Sequence, residues 1–157
     1  MPRMNRDERI HQLRRMLLFV IWTFFILWSM DVARPSDSTW VHSISDWFGQ
    51  MGMPKYTPAK LYHCASFFIW VILLIGVLAR GYWRVLPTAA FRNAVIALAL
   101  FAMTTEGLQN FNAARGPSWI DVAINVTGGG LGLLFQSLAA RRARNGPWHS
   151  PPAPPAP

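Results

Sequence analysis

Lys60 and His63 stand one turn apart at the start of a long apolar stretch. Glu106, Gln109 and Asn110 close another, and their i, i+3, i+4 spacing puts them on one helical face. Arg115 follows, and then Ser118, Asp121 and Asn125 open a third stretch, Asp121 and Asn125 again sharing a face. Two kinds of chemistry fit such a set. One is recognition: Lys60 and Arg115 would meet a phosphate or carboxylate, Arg115 in bidentate fashion, while Glu106 and Asp121 orient the cations or meet an amine. The other is catalysis, with Glu106, His63 or Asp121 as general acid or base and Lys60 and Arg115 stabilising charge. No serine or cysteine stands in a nucleophile arrangement. His63, Glu106 and Asp121 lack any diagnostic metal spacing, and no cofactor motif is present.

Each residue also has a plainer role. Ser118 with Asp121 three positions on matches a capping box that would open a helix after Pro117. Glu106 and Arg115 could pair across a turn, Asn125 could bond across a helix bundle, and His63 could be a satisfied interhelical donor. Gly128, Gly129, Gly130 and Gly132 fit close helix packing, since no phosphate-loop lysine follows them. Cys64, the lone cysteine, reads as a small packing residue. Lys60 is harder to make plain. It falls in the first turn of its helix, where the macrodipole disfavours a cation, so an anionic partner is expected from Glu106, Asp121 or a ligand.

The elements that position these residues are apolar blocks. The chain has 157 residues, 52% hydrophobic and only 14% charged, against about 25% charged in a soluble domain. Residues 16–30, 61–79, 89–111 and 120–138 read as four transmembrane helices of one all-α, polytopic membrane domain. A cleaved signal peptide competes for the first run, but no small-residue pair stands at cleavage spacing after it and its aromatics are bulky. Between the first two spans Trp40, Ile44, Trp47, Phe48 and Met51 share a face, as in a short amphipathic interfacial helix or a cap packed on the bundle. Thr57 and Pro58 read as N-cap and first helical residue of the second span. The domain is expected over 16–140, with a polar, basic segment of helical look over 1–15 and a basic, then proline-rich tail over 141–157 that reads as disordered or polyproline II.

The net charge of +8 does not imply nucleic acid, because the basic residues sit at the ends of the apolar runs without interleaved aromatics. Arg34, Lys55, Lys60 and Arg115 fall on one side of the four spans, and every other Lys and Arg falls on the opposite side. The positive-inside rule then places both termini in the cytoplasm of a bacterial cytoplasmic membrane and the polar cluster at the outer leaflet. Charge within a span costs about 2.5 to 3.5 kcal/mol at the helix centre, so polar faces gathered on three consecutive helices call for a purpose.

With Lys60 and His63 opening the second span, the stretch E-G-L-Q-N-F-N-A-A-R-G-P-S-W-I-D-V-A-I-N-V-T-G-G-G-L-G from Glu106 to Gly132 resembles the VanZ-like family of small bacterial membrane proteins. The resemblance covers roughly residues 16–140 and implies a shared fold and a shared polar site rather than a reaction. One member's glycopeptide resistance gives the family its name. The expected function is therefore an outer-leaflet pocket for an envelope lipid headgroup or lipopeptide, built from Lys60, His63, Glu106, Gln109, Arg115, Ser118, Asp121 and Asn125. A lipid-acting membrane enzyme, a proton-coupled transporter and a structural subunit of a larger complex are the competing readings. Four helices without a repeat weigh against the transporter.

Overall fold

The computed structural model describes residues 5–31, 39–54, 56–79, 87–109 and 118–145. All the secondary structure described is helical: α1 (Arg6–Asp31), α2 (Thr39–Gln50), α3 (Thr57–Leu78), α4 (Thr88–Gln109) and α5 (Trp119–Arg144). Four of these, all but α2, are long and apolar enough to cross a membrane. At about 1.5 Å per residue, the 22 residues of α3 reach about 33 Å, close to a hydrocarbon core of about 30 Å.

Several boundaries differ from the expected ones. Helix α1 begins at Arg6, well before the apolar run, because Asn5 and Glu8 cap it reciprocally. The Glu8 N–H donates to Asn5 Oδ1 at 2.8 Å, and the Asn5 N–H donates to Glu8 Oε2 at 3.1 Å. Asp7 and Glu8 also suit the positive end of the dipole. Tyr56, not Thr57, occupies the N-cap of α3 and makes no side-chain cap bond, so Thr57 and Pro58 move one position into the helix. Helix α5 runs on to Arg144, past the expected domain edge at 140, since nothing from Arg141 to Arg144 breaks a helix. The proline-rich residues 146–157, the basic loop around Arg80 and Arg84, Asn110 and Arg115 lie outside the described residues.

Helix α3 is the axis of the bundle. Its Phe67, Trp70, Val71, Leu74 and Ile75 are buried, facing Ala94, Leu98 and Ala102 of α4, Leu133 of α5 and Ile26 of α1. Trp70 stacks on Phe101 with centroids 4.5 Å apart, and Phe19 and Phe67 complete the aromatic cluster. Helix α1 runs antiparallel to α3 and is laced to it by two indoles. Trp22 Nε1 donates to the Ser66 carbonyl at 3.1 Å, and Trp70 Nε1 donates to Thr23 Oγ1 at 2.9 Å. Elsewhere α1 presents Leu13, Leu17, Phe24 and Trp28 outward, a surface suited to lipid rather than water.

Helices α3 and α5 run parallel, and glycine lets their backbones touch. A Cβ at Gly128 would collide with the Cys64 carbonyl, and one at Gly132 would lie 2.8 Å from the Phe68 oxygen. The glycine stretch therefore serves close packing. Helix α2 packs against α3 but leaves Ile44, Trp47 and Met51 of its neighbourhood exposed.

Candidate functional site

The parallel run of α3 and α5 fixes where their polar residues meet. Starting from the ends at which both helices begin, Lys60 pairs with Asp121, His63 with Asn125, and then Cys64 with Gly128 and Phe68 with Gly132. Two polar rungs thus sit above two glycine rungs on one seam. Because the glycines bring the helices together below, the side chains above can bond directly across.

The first rung is an ion pair between Lys60 Nζ and Asp121 Oδ1. It answers the dipole opposing Lys60, whose N–H is the first to close the α3 ladder, donating to the Tyr56 carbonyl. The side chains of Lys60 and Asp121 keep 29% and 16% of their surface accessible, so the pair lies at the mouth of the seam. The second rung is buried: His63 Nδ1 lies 3.1 Å from Asn125 Oδ1, so that nitrogen donates its proton to the amide carbonyl. His63 is 4% exposed and Asn125 fully buried.

Helix α4 runs antiparallel to both and brings its terminal turn to the same end. Glu106 is 3% exposed, turned inward rather than toward the surroundings. Its Oε2 accepts the backbone N–H of Ser118 at 3.1 Å. Ser118 is the N-cap of α5, and its Oγ accepts the Asp121 N–H at 3.4 Å. Half of the expected capping box is therefore formed. Its reciprocal half is supplied by Glu106 from another helix, which leaves the Asp121 carboxylate to meet Lys60. The Ser118 hydroxyl serves the helix end and is not placed as a nucleophile.

Gln109 lies one turn beyond Glu106 and is 2% exposed. Among the described residues its Nε2 has no hydrogen-bond partner, nor has Asn125 Nδ2. Buried amide donors in native proteins nearly always find acceptors, so two left over at one end of a bundle are unusual.

Lys60, His63, Glu106, Ser118, Asp121 and Asn125 are thus joined pairwise, Gln109 is buried beside them, and Arg115 lies outside the described residues. Tyr62, absent from the residues expected at the site, bonds through its hydroxyl to Ser29 Oγ and ties α1 to this end. Thr105, buried next to Glu106, is spent on the Ala102 carbonyl of its own helix. No three His, Cys, Asp or Glu side chains gather as a metal site among the described residues. No protein-family model, curated protein or solved structure matches the chain.

Proposed function

We propose that the chain is a multi-pass protein of the bacterial cytoplasmic membrane, akin to the VanZ-like family, that binds the headgroup of an envelope lipid or a lipopeptide in its outer leaflet. The observation that carries this reading is the pair of buried amide donors, Gln109 Nε2 and Asn125 Nδ2, which find no hydrogen-bond partner among the described residues. A cluster that only held helices together would gain most by satisfying every member, because an unpaired polar group in a low dielectric is costly. Spare donors are what a ligand takes up.

The placement of the cluster agrees. It lies at the ends of three helices long enough to span, where headgroups rather than acyl chains are met. The exposed Ile44 and Trp47 of α2 would rest at the same interface, tryptophan at headgroup depth. The excess of basic residues on the side of the termini supports cytoplasmic termini, which makes this end the outer one. Lys60 stands at the entrance, and the seam below it is closed by Gly128 and Gly132.

The test is purification in native nanodiscs, with the retained lipid identified by mass spectrometry. A polar lipid held at near-stoichiometric level and unchanged on incubation supports the binding reading. Turnover of that lipid would make the protein an enzyme, and a bulk lipid complement would leave the cluster a scaffold.

A further inference from the structure

Away from the polar cluster, two outward helix faces end in the same way. On α1, Ile10, Leu13 and Leu17 follow one another at i, i+3, i+7 and are all exposed, Leu13 at 67%. Arg9 and Arg14, each four positions from one of them, flank this stripe and are exposed too. On α5 the exposed Leu131, Leu134 and Leu138 repeat the pattern, and the exposed Arg141 and Arg142 continue it three and four positions beyond Leu138. Helix α1 runs antiparallel to α3, its Gln12 bonded to the Val77 carbonyl, and α5 runs parallel to α3, so both arginine pairs lie at the end opposite Lys60. Each of the two helices has 26 residues, about 39 Å, and so outreaches a hydrocarbon core of about 30 Å into the headgroup layer. The leucines there need acyl chains, and the arginines, on long stems, reach from among them to the phosphate plane. Among the described residues the acids at this end are Asp7 and Glu8, and Glu8 is engaged in the cap with Asn5.

We infer that this end of the bundle binds anionic phospholipids, Arg9 with Arg14 and Arg141 with Arg142 each holding a phosphate in the leaflet opposite the polar cluster. A guanidinium suits phosphate because its fork can meet two oxygens at once. The leucine stripe beside each pair gives the same lipid's chains a surface, so headgroup and chain are held on one helix face. A soluble anion would satisfy the arginines and leave the leucines uncovered. The inference is separate from the lipid or lipopeptide proposed for the cluster, and it holds whichever side of the membrane this end faces.

The experiment places the full chain in phosphatidylcholine vesicles with a trace of spin-labelled phosphatidylglycerol or spin-labelled phosphatidylcholine, and reads the fraction of each that is slowed at the protein surface. Phosphatidylglycerol is expected to associate at least about fivefold more strongly, the factor for about one basic residue at a charged lipid surface. The preference should fall toward parity between about 0.05 and about 0.5 M salt, as screening shortens the reach of the charges. It should also fall to parity in a variant carrying Arg9→Gln, Arg14→Gln, Arg141→Gln and Arg142→Gln, and persist in Lys60→Met. If the fourfold variant does not insert, replacing the α1 pair and the α5 pair separately should each remove part of it. Equal association of the two lipids with wild type, or a preference that the arginine variants keep, would overturn the inference. A preference lost in Lys60→Met would also overturn it, by placing the anionic lipid at the polar cluster. The lipid retained in native nanodiscs is a separate measurement, so either reading can fail without the other.

Discussion

Glu106 on α4 accepts the backbone N–H of Ser118, the N-cap residue of α5, at 3.1 Å. One carboxylate therefore closes the connection between two helices and completes a cap that the adjacent Asp121 would otherwise complete. Replacing Glu106 by Leu leaves that N–H without its acceptor and should cost about 1 to 3 kcal/mol. Glu106→Gln keeps an acceptor oxygen and should lose much less. Thermal unfolding in detergent separates them, and equal stability of the two variants would show that the bond contributes nothing.

The α3–α5 seam should tolerate a methyl group at one glycine and not at its neighbour. At Gly128 a Cβ meets the Cys64 carbonyl, whereas at Gly130 nothing lies within 4 Å. Gly128→Ala is expected to destabilise by about 1 to 3 kcal/mol through forced separation of the helices. Gly130→Ala should be neutral or stabilising, by up to about 1 kcal/mol of helix propensity. Similar melting temperatures for the two would contradict the close approach.

Helix α1 faces outward over most of its length and is tied to α3 by few polar bonds: the two indole bonds, Ser29 to Tyr62, and Gln12 Nε2 donating to the Val77 carbonyl. Thr23→Val keeps the shape but strips the acceptor from Trp70 Nε1, a loss of about 0.6 to 1.7 kcal/mol, the range for such bonds between helices in a membrane. The tryptophan emission should shift along with the stability. An unchanged spectrum and an unchanged melting temperature would place Trp70 differently from the packing described.

Much of this was legible in the residues. The four long helices follow from apolar blocks, and the shared faces of Lys60 with His63 and of Asp121 with Asn125 follow from helical spacing. Partner choice was not legible. That Asp121 meets Lys60 while Glu106 caps Ser118 depends on α3 and α5 running parallel at glycine distance, a tertiary fact with no local signature. The start of α1 was present in the sequence as Asn5 and Glu8, but the eight polar or charged residues between Arg6 and Arg15 kept the expected span from reaching back past Met16. The end of α5 was hidden similarly, because Arg141 and Arg142 read as a tail although neither stops a helix.

Topology is open to direct labelling. With Cys64 replaced, single cysteines at Ser38 and Asn145 should react with an impermeant thiol reagent from opposite sides of the membrane, Ser38 from outside. Labelling of both from the outside would remove the four-span arrangement.

The central claim is that the polar cluster serves a ligand and not only the bundle, and Lys60→Met tests it most directly. Lys60 and Asp121 remain partly accessible, so breaking their pair should cost no more than about 1 kcal/mol, and it removes a cation that the α3 dipole opposes. The measurement is the melting temperature of the purified variant beside its retained polar lipid per folded molecule. The account predicts a melting temperature within a few degrees of wild type, taking about 2 to 4 °C per kcal/mol for a chain of this size, and loss of the retained lipid. A large fall in melting temperature with the lipid retained at the wild-type ratio would contradict it and leave Lys60 as a structural ion.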